Sequence, residues 1–169
     1  MASVLKLRTA TKLILHMNKA AVLQAIIDAL GRDLDLLDAT SRKTREGGND
    51  PESKAEGKYD TRSTEDNYLA DGLARQAHAA GRAAAAYREF VPPSFNGGSS
   101  IDLGALVQLE LAGEKSWFFL GPAGGGLEVI SAAIPVTVLT PDSPLGSQLI
   151  GKKVGAVTTS PRAKVCAIE

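Results

Sequence analysis

The run from Thr140 to Gly155 constrains the fold of this chain more than any other stretch. It reads Thr-Pro-Asp-Ser-Pro-Leu-Gly-Ser-Gln-Leu-Ile-Gly-Lys-Lys-Val-Gly, and its order of Pro, Gly and apolar residues prescribes one local structure. Pro141 disfavours continuation of the strand-like Val136 to Leu139 segment. Ser143 can cap the amides of a following turn, Pro144 suits a first helical position, and Gly151 can end the helix. The expectation is a strand, a sharp stop, and a short amphipathic helix.

The chain has 169 residues and 44% hydrophobic content, enough for a buried core but rarely for more than two small domains. The most apolar stretch, Val129 to Leu139, contains Ser131 and Pro135 and falls well short of the roughly 20 residues of a spanning helix, so no membrane partner is expected. Lys plus Arg and Asp plus Glu balance at 19 each, which removes the general attraction that dominates free nucleic-acid binding. Nucleic acid is therefore expected only indirectly, through a protein partner. Cys166 stands alone in an apolar Val165 to Ile168 alternation, which excludes an intramolecular disulfide and suits a reducing cytoplasm. Residues 1–16 carry Lys6, Arg8 and Lys12 without an acid, but no small-residue cleavage site follows. They are read as an N-terminal extension ahead of a helix start at Met17-Asn18-Lys19-Ala20.

From Lys19 to about Arg45, Leu23, Ile27, Leu30, Leu34 and Leu37 step by four and three, the spacing of a coiled-coil seam. A second helix is predicted from about Thr64 to Phe90, with a seam at Leu69, Leu73, Gln76, Ala80, Ala83, Tyr87 and Phe90. Both stripes read as the core of a helical hairpin. Between them, Glu46 to Tyr59 turns rich in Gly, Pro and charge. Glu46 to Asp66 holds seven acids against three bases, so the turn is an acidic tip held on a stalk. By composition alone it is a solvated loop.

Pro92-Pro93 ends the second helix, and Ser94 to Ser100 has linker composition. The domains expected are thus 17–92, a helical hairpin; 93–100, a linker; and 101–169, a small β domain. Within the last, Ala105 to Leu111 and Ser116 to Leu120 form a hairpin across Ala112-Gly113-Glu114-Lys115. Gly121-Pro122-Ala123-Gly124-Gly125-Gly126 is a loop before strands near Leu127 to Ser131 and Ile134 to Leu139, and a final strand spans Lys164 to Ile168. The fold class is α+β, with a mostly antiparallel sheet holding one short helix.

The Gly121 to Gly126 run lacks the Lys-Ser/Thr ending of a phosphate-binding loop and opens no long helix. His16 and His78 with one Cys cannot build a zinc site or a nucleophile triad. Trp117 lacks the basic surround of a base-stacking platform and reads as core. No stand-alone enzyme is indicated.

The Ser143-Pro144-Leu145-Gly146-Ser147-Gln148-Leu149-Ile150-Gly151-Lys152 run resembles the C-terminal domain of bacterial Gre-type transcription elongation factors, where such a run makes the short helix of an FKBP-like domain. The helical hairpin, acidic tip and Pro-rich joint extend the likeness over nearly everything after Met17. The segments Glu52 to Arg62 and Trp117 to Gly126 resemble a divergent branch of that family.

The resemblance implies a cytoplasmic factor that binds bacterial RNA polymerase. Its coiled coil would enter the secondary channel, and its FKBP-like domain would grip the rim through the face carrying Ser143, Pro144, Leu145, Gly146 and Lys152. No prolyl isomerase activity is implied by the fold. Cleavage-competent relatives use tip carboxylates to help hold Mg²⁺ in the polymerase active site, which assigns Asp50, Glu52 and Glu56 here as tip residues and Asp50 and Glu56 as metal ligands. The family tip, Asp-x-x-Glu-Asn-Ala-Glu-Tyr, laid without gaps matches Asp50, Ala55 and Glu56 but puts Ser53 at the second carboxylate. A non-cleaving polymerase-binding regulator, similar to the Gre-related nucleoside diphosphate kinase regulator, is the alternative.

Overall fold

The computed structural model describes residues 17–48 and 62–169, with side chains at 17–45, 65 and 67–169. Helix α1 spans Lys19–Gly48 and α2 spans Arg62–Glu89, so α1 continues through part of the segment expected to turn. Asn18 starts α1: its Oδ1 accepts the Ala21 amide at 3.2 Å and its carbonyl accepts the Val22 amide at 3.0 Å. Met17, just before this cap, and Val22, four residues into the helix, are both buried in one cluster, the arrangement of a hydrophobic staple.

The helices pair along their length, with register differences from the sequence expectation. In α1 Leu30 is buried, but Leu23, Ile27, Leu34 and Leu37 are only half-buried, and Val22, Ile26 and Ala29 are the other buried apolar positions. The reason is that the proximal turns of α1 meet both α2 and the sheet, so the stripe widens beyond a two-helix seam. In α2 the predicted Ala83 and Tyr87 are buried, but farther from the sheet Ala70 and Ala77 are buried whereas Leu69 is 56% exposed and Gln76 is exposed, a one-residue correction of the frame in that part. Small residues win these positions because the backbones approach closely. Buried Ser41 donates its hydroxyl to the Ala70 carbonyl at 3.0 Å across the hairpin, and a Leu there would prop the helices apart.

Five strands follow: β1 Leu106–Leu111, β2 Glu114–Leu120, β3 Glu128–Ser131, β4 Ile134–Leu139 and β5 Ala163–Ile168, in sheet order β3-β4-β2-β1-β5. A short helix, α3, covers Gly146–Leu149. The pairs β1–β2, β1–β5 and β3–β4 are antiparallel, but β2–β4 is parallel, with Phe119 opposite Val138. The sheet is therefore mixed. After β2 the chain passes over to the edge as β3 and hairpins back, which leaves β4 pointing the same way as β2. The β1–β2 turn is tighter than predicted because Ala112 and Gly113 both take positive φ, 51° and 89°, and strand pairing resumes at Glu114.

Alternation divides the sheet into two apolar faces. Leu106, Phe119, Val129, Val136 and Val138 share a core with Met17, Ile26, Leu30, Ala84 and Tyr87 of the helix pair, and Trp117 packs half-buried against it. On the other face Val107, Leu109, Leu120, Val165 and Ile168 pack with Ile101 and with Leu149 of α3. Apolar burial is thus continuous from the base of the hairpin through the sheet.

The 93–100 segment is held rather than loose. Asn96 Oδ1 accepts the Gly98 amide at 3.0 Å and the Ser99 hydroxyl at 3.2 Å, and Phe95 packs against the second core. Lys19 Nζ donates to the Pro93 carbonyl at 3.1 Å and lies 4.6 Å from the centre of the Phe95 ring, a cation–π contact.

Candidate functional site

The Thr140 to Lys152 turn is built by the residues that sequence reasoning singled out, though not all face outward. Ser143 Oγ accepts the Gly146 amide at 3.1 Å and donates to the Thr140 carbonyl at 2.7 Å, so the hydroxyl both engages the first amide of α3 and closes the turn that leads into it. A β-carbon on buried Gly146 would collide with the Thr140 carbonyl and press on Ser143 Oγ, which makes Gly obligatory there. Pro144 precedes the helix and is exposed, Leu145 is half-buried against the second core, and Leu149 is fully buried. Gly151 takes φ +75° and ends the helix. Its amide donates to Ile101 at 2.8 Å and the Ile101 amide returns to the Lys152 carbonyl at 2.7 Å, leaving the Lys152 side chain exposed. Of the five residues expected to face a partner, Pro144 and Lys152 are exposed; Ser143, Leu145 and Gly146 hold the turn in shape.

Gln148 is the residue that sequence reasoning missed. Its Nε2 donates to the Pro144 carbonyl at 2.9 Å and the Ser160 carbonyl at 2.7 Å, while its Oε1 accepts the Thr159 amide at 2.8 Å and the Thr159 hydroxyl at 2.7 Å. The side-chain amide thereby ties α3 to the 157–161 loop. No local signal marks it, because its partners other than Pro144 lie more than ten residues downstream and are brought near only by the fold. Beside this clamp lies a cleft of about 350 Å³ lined by Ser147, Ile150, Lys152, Val157 and Thr159. Ile150 and Val157 are large apolar side chains left exposed in its lining, and Val154 is exposed in the same segment.

The glycine loop after β2, expected to be a simple turn, receives the stalk. Tyr87 of α2 donates its hydroxyl to the Ala123 carbonyl at 2.8 Å, and its ring tilts against Phe119 with centroids 6.4 Å apart. Burial pushes the phenol above its ordinary value, opposed by the hydrogen bond to Ala123. Gly104, at φ +88°, lets Pro92, Pro93 and Phe90 pack close to its α-carbon. On the other side of the joint the Met17 amide donates to Glu169 Oε2 at 3.0 Å. Burial lowers the Lys19 ammonium below its ordinary value, and the Glu169 charge opposes that shift.

Asp50, Glu52 and Glu56 lie outside the described residues, as does Ser53. Among the described residues no group of three or more His, Cys, Asp or Glu side chains could hold a metal ion, and no helix is long and apolar enough to cross a membrane. What the described site offers chemically is a shaped, partly apolar surface with a basic rim.

No protein-family model matches the chain, and no curated protein is significantly similar to it. Solved structures are similar to it at low identity. The crystal structure of GreA factor homolog 1 (Gfh1) of Thermus thermophilus is 20% identical over 87% of this chain and 94% of that one, with a TM-score of 0.33. A structure of the transcription factor Gfh1 is 22% identical over 87% and 92%, with a TM-score of 0.33. Thermus aquaticus Gfh1 is 17% identical over 86% and 95%, with a TM-score of 0.34.

Proposed function

We propose that this chain is a Gre-type factor that binds bacterial RNA polymerase, with the helical hairpin reaching into the secondary channel and the sheet domain holding the rim. The observation that carries this reading is the Thr140 to Lys152 run. Its Ser143 hydroxyl, its obligatory Gly146 and its buried Leu149 form the short helix that the family-like motif implies, on a sheet reached through a paired-helix stalk. The protein would act on transcription by occupying the polymerase, with nucleic acid met only in the elongation complex.

Assistance of transcript cleavage through Asp50, Glu52 and Glu56, with Mg²⁺ held jointly with the polymerase, is the finer part of the proposal. One observation favours the non-cleaving alternative: Ser53 occupies the position of the family's second tip carboxylate. A hydroxyl there supplies neither the charge nor the bidentate oxygens that a hard cation selects.

Pull-down of core RNA polymerase by the full chain, followed by a transcript-cleavage assay with stalled elongation complexes on the same sample, tests both parts. Binding with little cleavage is the expected result. Failure to bind polymerase at all overturns the reading.

A further inference from the structure

From Ser143 to Ile168 the chain carries Lys152, Lys153, Arg162 and Lys164 and no acidic residue, although the whole chain is neutral. This basic segment contains α3, the cleft beside it and the 157–161 loop. Three large apolar side chains, Ile150, Val154 and Val157, are 39 to 46% exposed in the same segment, and two of them line the cleft. Lys152 lines it as well, and Lys153 follows it, exposed. Asp142, exposed, and Glu169 flank the segment, and neither lines the cleft.

We infer that the cleft between α3 and the 157–161 loop is the part of this domain that docks the polymerase, and that it takes an acidic segment bearing one apolar anchor side chain. The inference rests on the polymerase-binding reading and names the chemistry of the contact. The apolar anchor covers Ile150 and Val157, and carboxylates beside it meet Lys152 and Lys153. Gln148 is a positioning residue. Its bonds to Pro144, Thr159 and Ser160 hold both walls of the cleft in one geometry before the partner arrives, so no loop ordering is charged against binding. Ser143 and Gly146 serve the same surface from behind by shaping the turn.

The test uses the full chain and bacterial core RNA polymerase as the probe, with thermal melting as a check on folding. The double variant Lys152→Glu/Lys153→Glu, exposed and fold-neutral, should weaken binding by about tenfold at low salt, with the difference shrinking as salt is raised. The same charge reversal at Lys115→Glu, exposed at the β1–β2 turn and outside the cleft lining, should leave affinity unchanged. Val157→Ser should weaken binding without the salt dependence. Gln148→Ala should speed amide exchange at Thr159 and Ser160 and weaken binding together. Wild-type affinity in the double Lys variant, or faster exchange without loss of affinity in Gln148→Ala, overturns this inference while leaving the polymerase reading intact. Absence of binding by the unaltered chain overturns both.

Discussion

The hydroxyl of Tyr87 occupies the space that a β-carbon on Gly121 would need. The last turns of α2 and the loop after β2 are therefore fitted to one another, and the Tyr87 bond to the Ala123 carbonyl fixes the fit. Gly121→Ala should destabilise the fold by about 1 to 3 kcal/mol through overpacking. Tyr87→Phe alone should cost about 1 kcal/mol for the lost hydrogen bond. Because removing the hydroxyl also frees the space, the double variant should be less destabilised than the sum. Urea unfolding of all four proteins measures the coupling, and strict additivity would show that the two residues do not meet.

The same tyrosine sets an alkaline limit. Its folded-state pKa is raised by burial above the usual value near 10, so the fold holds a proton that the unfolded chain releases. The stability it contributes is complete below about pH 10 and is lost as pH rises through the folded value. Lys19 acts in the opposite sense: its lowered folded-state pKa means the unfolded chain binds more protons, so its own contribution improves as pH rises toward 10.5. Stability measured from pH 9 to 11 should fall less steeply in Tyr87→Phe than in the unaltered chain. Equal slopes would exclude the tyrosine as the source.

Burial along α1 predicts a gradient of sensitivity. Leu30, 5% exposed in the core shared by stalk and sheet, should lose about 3 kcal/mol on truncation to Ala. Leu34 is half-buried and should lose about 1 to 2 kcal/mol. Leu149→Asp places an unpartnered carboxylate beneath α3 and should cost several kcal/mol. Normal melting of Leu149→Asp would mean that α3 does not cover the sheet.

Two positions should yield stabilised variants. A β-carbon at Gly31 meets open space within α1, so Gly31→Ala should gain about 0.5 to 1 kcal/mol. Ala132 and Ala133 connect β3 to β4 with φ of 50° and 64°, a left-handed pair that costs L-residues with a β-carbon. Ala133→Gly should gain about 1 kcal/mol. A lowered melting temperature in either variant would contradict the backbone geometry assigned there.

At the tip, Asp50→Asn with Glu56→Gln should leave polymerase affinity nearly unchanged and remove whatever cleavage the unaltered chain stimulates. Ser53→Glu should create or raise Mg²⁺-dependent cleavage. Vigorous cleavage that survives loss of Asp50, Glu52 and Glu56 together would dismiss the acidic tip as its source.

Local chemistry made much of this legible in advance. The short helix after Leu139 follows from Pro141, Ser143, Pro144 and Gly151, since caps and φ restrictions act within a few residues. The five strands follow from alternation, and α1 from a periodic stripe anchored by Asn18. The seam of α2 was legible at Ala83 and Tyr87 but not toward its start, because alanines occupy several of its faces and the large residue Leu69 points to the wrong frame. Only the partner helix, through Ser41 and Ala70, decides which alanines are buried. The parallel β2–β4 pairing, the Tyr87–Gly121 fit and the Gln148 clamp likewise join residues far apart in the chain. Periodicity and capping are short-range constraints that one segment can satisfy by itself, whereas register, strand order and the shape of a docking cleft depend on which distant segments share a core.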